Sequence, residues 1–575
     1  MTTPTLYLKR TKDGRPDRLK LLCSYTHKDV AKQCGLGTAR WQAESRAWTY
    51  PVDPTIVRVM LKVFGDELRI DPHLQDYLEE MYDRQMAITE ATQDTSDLGN
   101  DLWDFQRGSV RFLSTAKKAV LGHQMGTGKT PISCSAIDYV DAARVIVVCP
   151  NSVKWSWVDH LMDWSTARDI YVVEADRRPI DDTRVTIIKG DRQTRDDELA
   201  KLCTDKEEFV VILNYDQLRI HQQVLCNYDY DVLIADEAHR LKNRKAQRTQ
   251  SAVSVSTKCE YVWLLTGTPV RNNYDDFYTL LSICDPVRFT SYWNFVYIHL
   301  DTVPGFFQNV EIVGVRDLES FNAMLSSFMY RKTKKEVMDL PDKIQSVIKI
   351  PMTAPQEKNY TQMEKEFMVL LKQEIEEGKT YEHILRAPNV ISQMMRLRQL
   401  CLTPALLGGT DKAGKMDTLY ELLEDMRDQQ GQVIIYSCFR QFLTYIEIIL
   451  KNLEIKYDLI VGGQQSKDRD NVVRRLNSGD IQVVLGTIHS MGEGLNLQAA
   501  STAIFTDIDW VPAVNEQAED RIHRGLIKES PTIIHLLHPN TIESDIRAAC
   551  LRKDKIVGET AGQVEVLREM ILRRG

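Results

Sequence analysis

The chain has no uninterrupted apolar run near the ~18 residues of a membrane-spanning helix, so no membrane span is expected. Its opening stretch, Met1 to Lys20, holds no signal-peptide core. Eleven cysteines stand singly (Cys23, Cys34, Cys134, Cys149, Cys203 and on to Cys550), and none forms a C-x-x-C pair. That argues against a zinc module and for reduced thiols in a cytoplasmic or nuclear setting. There is no short-period repeat and no extended low-complexity segment. Positive charge is not in excess either. The formal net charge is −8, and basic residues occur in local clusters: Lys9 to Lys32, Arg240 to Arg248, and Arg331 to Lys335. Each cluster suits a solvated face as readily as a nucleic-acid contact. The 575 residues, 43% hydrophobic and 27% charged, are those of an ordinary globular chain with several domains.

What is present is chemically pointed. After a short apolar strand at Ala119-Val120-Leu121 comes His123-Gln124-Met125-Gly126-Thr127-Gly128-Lys129-Thr130. Glycines let a backbone fold close to a polyphosphate, and amides at the following helix start point at it. Lys129 supplies a positive charge for the terminal phosphates of ATP, and Thr130 offers a hydroxyl to Mg²⁺. The full G-x-x-x-x-G-K-[ST] pattern would need glycine where this chain has His123. About a hundred residues later the apolar run Asp231 to Ala235 ends in Asp236-Glu237-Ala238-His239. A carboxylate at the C-terminal end of a buried parallel strand lies on the ligand-binding edge of an α/β sheet. Asp236 is expected to hold Mg²⁺ largely through water, and Glu237 to orient or deprotonate the attacking water.

The pattern of apolar strands suggests four regions. Residues 1–95 form a small N-terminal accessory domain, with a helix near Leu74–Glu90 and a linker-like polar run at 90–97. Residues 96–285 alternate strands (Val145–Cys149, Val185–Ile188, Val210–Leu213, Val232–Ala235, Val262–Leu265) with amphipathic stretches. Residues 286–405 become mostly helical, and 406–575 resume the alternation at Val433–Tyr436, Tyr457–Val461, Val483–Leu485, Ala503–Phe505 and Thr532–Leu536. The fold class is therefore α/β, two parallel-sheet lobes around a helical insertion. In the second lobe Gln517, Arg521 and Arg524 stand at i, i+4 and i+7, the spacing of one helix face. A two-lobe ATPase needs a guanidinium near the γ-phosphate, and Arg521 and Arg524 fit that role.

With these motifs in order, the sequence resembles the Swi/Snf-type ATPases of helicase superfamily 2 over about residues 100 to 545. Asp104-Phe105-Gln106-Arg107 looks like the opening segment, and Val148-Cys149-Pro150 with Lys154-Trp155 like the motif that meets the nucleic-acid backbone. Asn214-Tyr215-Asp216, Asp236 to Asn243 (D-E-A-H-R-L-K-N) and Leu264 to Pro269 come after them. Next are Arg331-Lys332-Thr333-Lys334 with Leu340-Pro341, Leu397 to Cys401, and Lys415-Met416. Gly486-Thr487, Gly492 to Leu497 and Asp509 to Pro512 complete the series. Departures are His123-Gln124 for an acidic pair, Thr127 for leucine, Arg271-Asn272-Asn273 after Thr-Pro, and Gly525-Leu526-Ile527 after Arg524. They mark a divergent branch, and Arg46 to Pro51 faintly resembles the accessory segment of the annealing helicases, which implies a DNA or fork contact for residues 1–95.

The resemblance implies two RecA-like lobes and a DNA-dependent ATPase that uses ATP and Mg²⁺. The nucleotide set would be Gln106 (reading adenine), Gly126, Thr127, Gly128, Lys129, Thr130, Gly494 and Gln517. Asn151, Lys154, Thr266, Thr268 and Thr487 would touch DNA, double-stranded or branched, through phosphates that carry little sequence information. The expected function is an ATP-dependent double-stranded DNA translocase or helicase-like motor in repair, recombination or replication. Alternatives are an unwinding or branch-migrating helicase, a remodeller releasing RNA polymerase or another protein from DNA, and the motor of a defence system. Its expected place is the cytoplasm of a bacterial or virus-infected cell, or the nucleus if eukaryotic.

Overall fold

The structure, a computed structural model, describes residues 3–98, 101–165, 168–173, 183–267, 274, 276–304, 310–337, 342–385, 387–427, 431–491, 495, 497–523, 530–552 and 559–574. The chain packs as two units, the first made mostly of residues up to Thr333 and the second mostly of those from Lys334. Among the described residues no helix is long and apolar enough to cross a membrane.

The first unit begins with a five-stranded sheet, ordered Arg40–Gln42, Ala47–Tyr50, Pro16–Leu22, Thr5–Arg10, Arg69–Ile70. Period-two alternation sorts its side chains: Leu6, Leu8, Leu19, Leu21, Trp48 and Tyr50 are buried together on one face. Ile56, Val57 and Met60 of the helix Pro54–Phe64 join that core. Asp53 starts the helix by accepting the Thr55 N–H at 2.8 Å, with Pro54 in the first turn. The same buried carboxylate lies 3.0 Å from Arg288 Nε and 3.3 Å from His299 Nε2. Burial pushes its pKa up, but Arg288, His299 and the Thr55 N–H outweigh burial and hold it well below the usual range. These groups key the small sheet to the body of the unit, and Ile298 enters its core. Trp48 is buried, whereas Trp41 is half-exposed against it, with ring centroids 5.5 Å apart.

The polar run at 90–97 is not a free linker. The helix Pro72–Gln93 absorbs its first half. Arg111 fastens the second half, with Nε 2.9 Å from Asp94 Oδ2 and Nη2 donating to Ser96 O at 3.0 Å.

The first lobe is an eight-stranded sheet, ordered Met329–Tyr330, Lys118–Leu121, Cys259–Leu265, Tyr230–Asp236, Arg144–Val148, Phe209–Leu213, Asp169–Val173, Val185–Ile188. All its ladders are parallel. Both faces are covered, which is why Val145–Val148 and Val210–Leu213 are apolar and buried without alternation. Asp169–Val173 and Met329–Tyr330 are strands that the apolar pattern of the sequence does not announce. Residues 286–405 hold the helices Tyr292–His299, Leu318–Ser326, Ala354–Glu376, Tyr381–Leu385 and Pro388–Leu402. They also hold the hairpin Leu300–Pro304 with Val310–Val315 and the strand Ile344–Lys349.

The second lobe is a six-stranded parallel sheet, ordered Ile344–Lys349, Thr532–Leu537, Ala500–Phe505, Gln432–Ser437, Val483–Thr487, Tyr457–Ile460. Buried ion pairs pin its helices to it. Arg398 Nη2 donates to Ile508 O at 2.8 Å and lies 3.2 Å from Asp507 Oδ2, its guanidinium over the Trp510 ring. Lys415 Nζ is paired with Glu543 at 2.5 Å. The molecule is thus α/β, with two RecA-like parallel-sheet lobes, a largely helical insertion and a small N-terminal sheet.

Candidate active site and nucleic-acid interface

The strand Lys118–Leu121 runs into the glycine-rich loop. Gly126 and Gly128 have φ of +78° and +81°, in the left-handed region that side chains avoid. A Cβ on Gly128 would also meet Gln106 Nε2 at 2.4 Å, so glycine is required there twice over. Gln106 Oε1 meanwhile accepts the Trp103 N–H at 2.9 Å, which fixes the side chain that presents its amide to the loop. The helix Lys129–Tyr139 starts directly after Gly128, aiming its first N–H groups at the loop. Lys129 Nζ turns back onto the carbonyls of His123 (2.9 Å) and Gln124 (3.3 Å). Thr127 is buried and Thr130 half-buried. This is a cradle for a polyphosphate, on the structure's own geometry.

His123, the departure from the loop pattern, is a structural pin. It is fully buried, and Nδ1 accepts the Lys332 N–H at 3.0 Å. Nε2 therefore carries the proton and donates to Ser109 Oγ at 2.7 Å, while Ser109 Oγ donates to Phe105 O at 2.6 Å. Burial, then the charges of Lys129 and Lys332, push the imidazole pKa down to about 3, so the ring stays neutral. The chain of bonds joins the Gln106 helix, the loop and the segment after Met329–Tyr330.

Asp236 and Glu237 leave from the C-terminal end of Tyr230–Asp236, with Cys259–Leu265 lying between that strand and Lys118–Leu121. In a parallel sheet that is the same edge as the loop. Asp236 Oδ2 accepts the Trp157 indole N–H at 3.0 Å and Oδ1 accepts the Glu237 N–H at 2.9 Å. Burial and the neighbouring Glu237 charge push its pKa up to about 6, against opposing help from Trp157 and Lys129. Two clustered carboxylates are under electrostatic pressure that a cation relieves, so the pair fits a Mg²⁺ that keeps most of its water. Glu237 itself sits at φ +53°, ψ +49°, a strained conformation for a side-chain-bearing residue. Tyr215 Oη holds the preceding carbonyl, Asp236 O, at 2.6 Å, and His239 Nδ1 lies 3.2 Å from Glu237 Oε2.

Two expected DNA contacts are corrected. Lys154 is buried, and its Nζ donates to Val173 O at 2.7 Å and Gln217 Oε1 at 2.8 Å, so it braces the lobe. Thr266 is also buried, its N–H given to Leu121 O at 3.1 Å. Asn151 is exposed and accepts from Asn214 Nδ2 at 3.4 Å. Thr487, half-buried at the end of Val483–Thr487, bonds Ser490 Oγ at 2.6 Å. Thr268, Gly494 and Arg524 lie outside the described residues.

The shared helix face of Gln517 and Arg521 is a further correction, while Arg524, the third member, lies outside the described residues. The helix Pro512–Glu519 stops before Arg521, which lies in the turn after it. Asp520 follows the helix as its C-cap, its carboxylate paired with Lys343 (2.8 Å) and Lys334 (3.1 Å). Gln517 is half-buried on the helix, while Arg521 is buried and donates from Nη1 to Leu495 O at 3.3 Å. Sequence reasoning missed Trp157 and Ser109, and it named Tyr215 only within the Asn214-Tyr215-Asp216 motif. Trp157 carried a faint signal, one helical turn past Lys154 on the segment after Pro150.

The SNF2-related domain matches residues 77–406 and the helicase conserved C-terminal domain residues 414–525. The SWI/SNF chromatin-remodeling complex subunit snf22 of Schizosaccharomyces pombe is 26% identical over 78% of this chain and 27% of its own length. An Arabidopsis thaliana protein described as "Probable ATP-dependent DNA helicase CHR12" is 26% identical over 94% of this chain and 51% of its own. A solved Sulfolobus solfataricus SWI2/SNF2 ATPase core in complex with dsDNA shares 23% identity, covering 79% of this chain and 92% of that one, at a TM-score of 0.37. The chain thus spans about a quarter to a half of the length of these curated relatives. A SNF2-related domain over more than half the sequence, then a helicase C-terminal domain, makes this chain a member of the SNF2-related family of helicase-type ATPases.

Proposed function

We propose that the protein is an ATP-driven motor that moves along double-stranded DNA and remodels DNA or protein–DNA complexes in repair, recombination or replication. The observation that carries this is the meeting, on one sheet edge, of the Lys129 loop with Asp236 and Glu237. The loop amides and Lys129 would hold the ATP phosphates, with Gln106 beside Gly128 placed toward the base. Thr130 and Asp236 would hold Mg²⁺, which when bound neutralises charge on the β- and γ-oxygens. Glu237 is the group to orient and deprotonate water, and its fixed strained backbone limits where its carboxylate can go. Arg521, and Arg524 beyond the described residues, are the second lobe's candidates for the charge that develops on the γ-phosphate, with Gly494 and Gln517 as nucleotide contacts. Asn151 and Thr487 are the retained candidates for DNA phosphates, with Thr268 in a segment outside the described residues. DNA as the track is supported by the DNA helicase description of the Arabidopsis relative. A cytoplasmic location in a bacterial or virus-infected cell, or a nuclear one in a eukaryote, goes with this role.

The test measures ATP hydrolysis with duplex, single-stranded and forked DNA and with RNA. Duplex DNA should stimulate the wild type, and Lys129→Ala and Glu237→Gln should each lose at least ~10²-fold in rate. Stimulation by RNA alone would overturn the reading. Displacement of a triplex strand without duplex unwinding would assign translocation over unwinding.

A further inference from the structure

On the face of the N-terminal sheet opposite its core, Ala47 and Thr49 of Ala47–Tyr50 are buried, while the strands beside it present long cations. Registers define this face. Tyr7 pairs with Lys20, Lys20 with Thr49 and Thr49 with Arg40, so these four share one face across four strands. Lys9 pairs with Arg18 on the same face, and Thr5 pairs with Arg69 of the edge strand. The cations are therefore Lys9, Arg18, Lys20, Arg40 and Arg69. Among the described residues, no register-paired position on that face is Asp or Glu. Lys9, Arg18, Arg40 and Arg69 are exposed and Lys20 half-exposed, while Lys9 shares its charge with Asp17 at 3.2 Å. The hairpin end holds exposed Lys12 and Arg15 beside exposed Asp13.

A one-signed face is unusual on a chain whose net charge is −8. Like charges at neighbouring registers repel, so this arrangement lowers the sheet's own stability. A polyanion lying across the strands would relieve that repulsion. Five strands at the usual spacing span roughly 19 Å, the reach of several successive phosphates. The aromatic content is one half-buried ring, Tyr7, which suits backbone contact over base stacking. Asp53, Arg288 and His299 lock this sheet to the first lobe, so the face is carried rigidly with that lobe and not on a tether.

We propose that the face formed by Lys9, Arg18, Lys20, Arg40 and Arg69 is a second DNA-binding surface, gripping the sugar–phosphate backbone outside the motor's own track. It rests on the reading of the protein as a DNA motor. The experiment uses the full chain with Arg18→Gln, Lys20→Gln and Arg40→Gln together, compared with wild type by fluorescence anisotropy on duplex and on single-stranded DNA across a salt series. A control triple, Lys358→Gln, Lys365→Gln and Lys372→Gln, removes the same charge from exposed positions of Ala354–Glu376. The face variant should bind at least ~10-fold more weakly at low salt, with a log K against log salt slope shallower by about 2 to 3. Its melting temperature should be equal to or above that of wild type, since like charges are removed, and its DNA-free ATPase rate should match wild type. Unchanged affinity and slope on both DNAs overturn the proposal, as does an equal loss in the control triple. If wild type is itself not stimulated by DNA, the motor reading fails first. A wild type that is stimulated, beside an unaffected face variant, sinks the second surface alone.

Discussion

At the scale of residues, the structure separates groups that do chemistry from groups that hold them. His123 belongs to the second kind, and its buried neutral ring makes a pH prediction. Its folded pKa lies below the unfolded ~6.5, so the unfolded chain takes up the proton first as pH falls. The stabilisation it represents is complete above pH ~6.5 and declines by up to about 1.4 kcal/mol per pH unit below that. Comparing denaturant midpoints between pH 7 and 5 for wild type and His123→Asn should show a flatter profile in the variant. An identical slope would mean that His123 is solvated. Lys154 and Asn151 give a contrasting pair. Lys154→Met leaves two buried acceptors without their donor and should cost about 1–3 kcal/mol of stability. Asn151→Ala should leave the melting temperature alone and lower DNA stimulation of the ATPase. Sequence could identify the phosphate loop and Asp236-Glu237 because the chemistry needs those residue types in that order. It could not tell an exposed lysine from Lys154, since burial comes from strands and helices brought together over long separations.

At the scale of elements, the parallel strands were legible because burial on both faces demands continuous Val, Ile and Leu. Asp169–Val173 alternates charge and aromatic with apolar residues near the sheet margin, and Met329–Tyr330 is too short to carry a period. The helix Pro512–Glu519 shows a different failure. Helical spacing continued through Arg521, but the helix ends at Glu519, where Asp520 meets Lys334 and Lys343 from far along the chain. The N-terminal sheet supplies the element-scale prediction. Asp53→Ala removes a helix cap and leaves Arg288 buried without its carboxylate, which for buried pairs costs about 3–5 kcal/mol. Limited proteolysis should then cut within residues 1–70 while the ATPase lobe survives. Resistance equal to wild type would show that the apolar core around Ile298 is enough by itself.

At the scale of the whole molecule, each parallel sheet is finished by a strand from the stretch between residues 329 and 349. Met329–Tyr330 closes the edge beside the phosphate-loop strand, and Ile344–Lys349 pairs with Thr532–Leu537 nearly two hundred residues later. The order of residues along the chain therefore differs from the order in which the sheets can be completed. During synthesis Lys118–Leu121 emerges long before its outer neighbour exists, and its edge stays open until residue 332 has left the ribosome. Pulse proteolysis of stalled nascent chains should find the loop region cleavable when synthesis stops at residue 300 and protected once the Lys332 N–H can reach His123. Lys118–Leu121 thus waits some two hundred residues of translation for its outer partner, and through that interval its open edge is a template on which another strand can pair.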